Sequence, residues 1–145
     1  MTVMTDFLEN ELIDHIFRAR SYAGPTELYI ALFTAAPSDA GGGTEVTGGA
    51  YARVQLDPLF SNWLGTGGES TAVDSAGTGG ATSNNVEILF PAPVGANWGV
   101  ITHVAIFDES TTDMLFHGPL AAPKTVNDGD AAPKFEVGDL VVALG

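Results

Sequence analysis

A chain of 145 residues with 45% hydrophobic side chains is long enough to bury a core of its own, which predicts one domain over residues 1–145. Eighteen acidic against five basic residues leave a net charge of −13, so neither nucleic acid nor an anionic membrane is expected as a direct partner. The absence of cysteine excludes disulfides, thiolate metal sites and thiol nucleophiles.

The first residues, MTVMTDFLENE, carry no basic region and no long apolar run, so no export signal is expected. Asp6 to Arg20 reads as a helix. Asp6 is placed to cap it, Glu9 follows three positions on, and Leu8, Leu12, Ile13, Ile16 and Phe17 fall on one side at 100° per residue. Gly24 and Pro25 close it. Such a helix either packs over an end or edge of a sheet or docks on a partner chain.

Leu28 to Phe33 is apolar on both alternating faces and predicts a central strand covered on each side. Tyr51 to Leu56 alternates, with Ala52, Val54 and Leu56 inward and Tyr51, Arg53 and Gln55 outward. Asn85 to Phe90 repeats the habit through Val86, Ile88 and Phe90, and Trp98 to Phe107 is a longer β-branched run. A polar connection, Asp108 to Asp113, leads to Met114 to Leu120 in the manner of a hairpin. The last strands are Lys134 to Val137 and Leu140 to Leu144, joined by a Gly138-Asp139 turn. The uncharged run Ile88 to Phe107 is broken by Pro91, Pro93, Gly95 and Gly99, which argues against a membrane span. Short strands without alternating helices predict a mainly β fold, an antiparallel β-sandwich or jelly-roll-like single domain with one short N-terminal helix and long Gly-rich loops.

Two connections stand out, Pro37 to Gly49 and Ser61 to Asn84, the second well past the ~12–15 residues at which loops become uncommon. GGGTEVTGG, from Gly41 to Gly49, leads into a strand and carries Glu45 where a phosphate cradle needs a cation. It reads as a surface loop whose glycines take positive φ. The longer loop is either ordered by a partner or disordered, and its Trp63 and Leu64 need cover from their own domain or from a neighbouring subunit. Arg53, one of five cations, reads as half of a cross-strand ion pair or, more sharply, of an intersubunit pair with an acidic loop. The candidate interface residues are therefore Arg53, Trp63, Leu64, Glu45 and Tyr51.

No pattern of residues predicts catalysis, a cofactor or a metal. His103 and His117 share a predicted hairpin but lack further ligands, the acidic turns at Asp108–Asp113 and Asn127–Asp130 do not match a calcium loop, and no Gly-x-Ser-x-Gly elbow occurs. A carbohydrate-binding reading would rest on Trp63, Trp98 and Tyr51.

The segments LYIALFTAAP, GGGTEV, GAYARV, WG followed by ITHVAIFD, LFHGPLAAPKTV and EVGDLVVAL together cover most of the chain outside the second loop. In that order they resemble small tailed-bacteriophage structural proteins labelled "phage tail fibre protein". The resemblance implies a virion component that acts by binding, assembled in the bacterial host cytoplasm. The first expectation within the particle is a capsid decoration or cement protein bridging major capsid subunits, and an acidic, lysine-poor surface suits the outside of a shell. The alternative is a tail fibre or baseplate accessory touching other tail proteins. The expected partners also include further copies of the chain, with a trimer the first guess.

Overall fold

In a computed structural model that describes residues 2–144, turn-forming glycines and alternating apolar residues divide the chain into short strands around three long ones. In chain order these are β1 (Val3–Met4), α1 (Asp6–Phe17), β2 (Tyr29–Ala35), β3 (Thr44–Glu45), β4 (Val54–Gln55), β5 (Ala81–Ser83), β6 (Ile88–Leu89), β7 (Gly99–Phe107), β8 (Met114–Val126), β9 (Lys134–Phe135) and β10 (Val141–Ala143). The main sheet runs β1-β8-β7-β2-β3, with β4 also on the outer edge of β2, and every pairing is antiparallel. Two ribbons, β5 with β10 and β6 with β9, supply the facing layer.

Period-two alternation decides what each layer buries. On β2 and β7 the pairs Ile30–Ile106 and Leu32–Val104 point to one face, where Ile88, Phe90, Leu140 and Val142 from the ribbon side meet them. The opposite face carries Ala31, Phe33, Ala105, Phe107 and Met114. The central strand predicted at Leu28 to Phe33 is therefore covered on both sides, and the result is a sandwich-like antiparallel β fold. β8 continues past the predicted Leu120 to Val126, through Pro119 and Pro123. Beyond the short β1 pairing at Phe116 and His117 its outer side is an edge, where missing N–H donors cost no ladder bond.

Three expectations are corrected. The helix ends at Phe17 rather than Arg20, because Ala19 turns to φ 55° and the Arg18 and Arg20 amides both return to the Asp14 carbonyl. Its cap is Thr5, one residue earlier than Asp6, with the hydroxyl accepting from Leu8 N. Within Tyr51 to Leu56 only Val54 and Gln55 pair, so the alternation predicted from Tyr51 fails: Ala52 is exposed and Tyr51 turns inward, edge-on to Trp98 at 5.2 Å. The Gly138-Asp139 turn links β9 to β10 as expected, with Asp139 N donating to Glu136 O, while the two strands do not pair with each other. β9 joins β6 and β10 joins β5, with Asn84 between them.

Asn84 is fully buried and acts as a three-way clasp. Its Nδ2 donates to the carbonyls of Val86 and Glu136, both at 2.8 Å, and its Oδ1 accepts from Leu140 N at 2.9 Å. One amide side chain thus supplies the hydrogen bonds that a β9–β10 hairpin would otherwise make.

Candidate interaction surfaces

Three of the five candidate interface residues lie together at the edge of β2. β3 and β4 cover that edge in two pieces, and between them the Leu32 N–H faces outward without a strand partner. The Tyr51 hydroxyl fills the gap: it accepts from Leu32 N and donates to Glu45 Oε1, each at 2.9 Å. Burial above all, with the Glu45 carboxylate adding to it, holds that hydroxyl far above its ordinary titration range, so it stays a donor at any physiological pH. Arg53 meets Glu45 in a two-point fork, Nε to Oε1 and Nη2 to Oε2, both at 2.8 Å. Its guanidinium also donates to the Thr111 carbonyl and lies 3.8 Å from the Phe107 ring centre. Arg53 is therefore tied within its own chain to the glycine loop, to the β7–β8 turn and to the outer face of the sheet.

The glycines ahead of this cluster serve geometry. Gly41, Gly42, Gly43, Gly48 and Gly49 all take positive φ. At Gly49 a side chain has no room, since its Cβ would collide with the Ala96 carbonyl and the Trp98 indole, which donates to Gly49 O at 2.9 Å. Replacing Tyr51 by Phe should leave the Leu32 amide and Glu45 each short of a partner. The expected cost is about 2 kcal/mol in urea unfolding, with faster hydrogen exchange at Leu32 as the local signature.

The second loop is ordered by its own residues. At its neck Leu64 N donates to Ser83 O, Thr82 Oγ1 donates to Leu64 O, and Asn85 N donates to Asn62 O. Trp63 packs against the core and donates Nε1 to Leu56 O, while Leu64 is half-buried along a groove. The tip is organised by a residue that sequence reasoning missed, Glu69. Its carboxylate accepts from Gly67 N at 2.9 Å and Ala76 N at 3.0 Å, and a Cβ at Gly65 or Gly67 would strike it. The glycine density here makes room for a carboxylate held by backbone amides. In the sequence Glu69 directly follows Gly65, Gly67 and Gly68, but nothing there distinguishes it from Asp74 in the same loop.

Backbone amides, led by that of Glu69 itself and followed by those of Gly67 and Ala76, hold this carboxyl below its ordinary value of 4.5. A depressed carboxylate contributes order that is complete above the ordinary value and is lost as pH falls through the lower folded value. Amide protection at Gly67 and Ala76 should therefore begin to fall below about pH 4.5 and vanish once the pH has passed the lower folded value. Glu69→Ala should lack it already at neutral pH, as read by hydrogen exchange.

Beside the loop lies an apolar groove of about 570 Å³, floored by Leu28, Ile106 and Phe116 and lipped by Leu59, Phe60 and Val73. α1 starts at its border. Thr5 anchors the helix by donating its hydroxyl to the Met114 carbonyl, and Leu8 is buried, but the apolar face predicted for the helix then runs out into solvent. Ile16 is 64% and Phe17 78% exposed, with Ile13 half exposed beside them.

The remaining candidates are separated. His103 and His117 lie two rungs apart on the β7–β8 ladder, opposite Pro119 and Ala105, with different partners, Thr102 Oγ1 and Asp39 Oδ1. Among the described residues no group of three or more histidine or acidic side chains is arranged to hold an ion. Trp98 is buried, and Tyr51 and Trp63 pack against the core, which leaves no open aromatic platform among these three. No helix among the described residues is long and apolar enough to cross a membrane.

The family model described as "Podophage GP4 fiber I protein gp80" matches residues 3–143. No curated protein matches the chain.

Proposed function

Because the chain belongs to the podophage GP4 fiber I protein gp80 family and is thereby a virion structural protein of fibre type, we propose that it is a tail-fibre component that works by protein contact, without a chemical step. The observation that carries this reading is the family match over nearly the whole described chain. It favours the tail alternative over the capsid-cement expectation, for which neither the family description nor the geometry adds support.

The proposed contacts are with further copies of the chain and with other tail proteins. The clamped edge at Glu45, Tyr51 and Arg53 supplies a rigid scaffold, and the surfaces offered to partners are the groove and the free face of α1. Gold-labelled antibody on intact particles tests the assignment. Label confined to the tail is the expected result, and label spread over the whole shell would return the protein to the cement reading.

A further inference from the structure

The exposed face of α1 and the apolar groove beside the second loop are complementary in polarity and charge. Ile13, Ile16 and Phe17 follow the i, i+3, i+4 spacing by which a helix presents anchors to a groove. Directly after them come Arg18 and Arg20, side chains 69% and 75% exposed, which among the described residues share one acidic partner, Asp14. They are two of only five cations in the chain, and Arg53 and Lys134 are held in pairs elsewhere.

The groove is acidic where it is not apolar. Glu69 and Asp74 belong to its wall on the loop side. At its other side Tyr22 has its hydroxyl pushed above the ordinary range, by burial first and then by the nearby Asp108, Glu11, Glu109 and Asp113. An apolar ligand ending in positive charge therefore fits it. The chain's own ridge does not occupy its own groove: Leu8, at the start of the helix, borders the cavity, whereas Ile13, Ile16 and Phe17 do not and stand in solvent.

We propose that the α1 ridge of one copy seats in the groove of a second copy, with Ile13, Ile16 and Phe17 against Leu59, Phe60 and Val73, and Arg18 and Arg20 toward the acidic wall. Ridge and groove are different patches, so the contact is head-to-tail, and its repetition closes into a ring or continues as a filament. This inference rests on the self-association put forward above and names its surface.

Two variants altered only at exposed positions test it, Ile16→Ser with Phe17→Ser on the ridge and Leu59→Ser with Phe60→Ser on the groove. Circular dichroism melts confirm that each is folded, and sedimentation velocity reads its mass. The wild-type chain should sediment as an oligomer, and each variant alone as a monomer. An equimolar mixture of the two should form a heterodimer that grows no further, because only one intact ridge and one intact groove remain.

A groove variant that stays oligomeric would overturn the proposal in favour of ridges pairing with each other. If both variants keep the wild-type mass, or both are monomers that fail to combine, the ridge-in-groove contact is wrong while self-association stands. A wild-type chain that is monomeric at every concentration removes both.

Discussion

Asn84→Ala should lower the unfolding free energy by about 3–5 kcal/mol, measured by urea denaturation at neutral pH. The side chain is fully buried and bonds three backbone groups on separate segments, the carbonyls of Val86 and Glu136 and the amide of Leu140. Each buried polar group left without a partner costs roughly 1–3 kcal/mol, and little water reaches this position to relieve the loss. Asn84→Asp provides the internal control. It keeps the acceptor for Leu140 N but turns an oxygen toward the two carbonyls, so it should be at least as damaging despite its near-identical shape. A cost below about 1 kcal/mol for the alanine variant would show that β9 and β10 hold their places without the clasp.

Trp98→Ala is expected to be of similar severity, about 4 kcal/mol, for a different reason. The indole is buried where the sheet meets the loop that follows β6, and it carries a large apolar surface, an edge contact with Tyr51 and the hydrogen bond to Gly49 O. Its removal opens a cavity and frees the glycine loop that holds Glu45, so loss of near-ultraviolet circular dichroism should accompany the lowered urea midpoint. Trp98→Phe refills part of the space but removes the indole donor, leaving the Gly49 carbonyl with only its bond from Val94 N. It should fall between wild type and alanine, and a phenylalanine variant as unstable as alanine would mean that the hydrogen bond dominates.

The regular part of this fold was legible because it obeys local rules. The double-sided apolar pattern of Leu28 to Phe33 and the hairpin joining Trp98–Phe107 to Met114–Leu120 describe β2, β7 and the first half of β8, and α1 starts at Asp6 as read, with its cap one residue earlier and its end at Phe17. Alternation misled at Tyr51 because it holds only for a backbone locked into a ladder. Residues 51–53 join no strand ladder, and Tyr51 rotates inward to meet the Leu32 amide. Asn84 and Glu69 were illegible for another reason. Both work through backbone groups, and a backbone amide or carbonyl carries no letter in the sequence. The partners of Asn84 also lie as far away as Glu136 and Leu140. Arg53 was legible as a cation in need of an acid, whereas the choice of Glu45 required knowing that β3 and β4 flank the same strand.

The neck formed by Leu64, Thr82 and Ser83 gives the long excursion after Trp63 the character of a pendant on a closed catch. Once the catch is fastened, each doubling of the pendant's length adds only about 0.6 kcal/mol of chain entropy. Evolution can therefore trim, lengthen or rewrite the tip, and with it the wall of the groove, while leaving the sheet untouched. Partner preference can drift in such a molecule without putting its folding at risk.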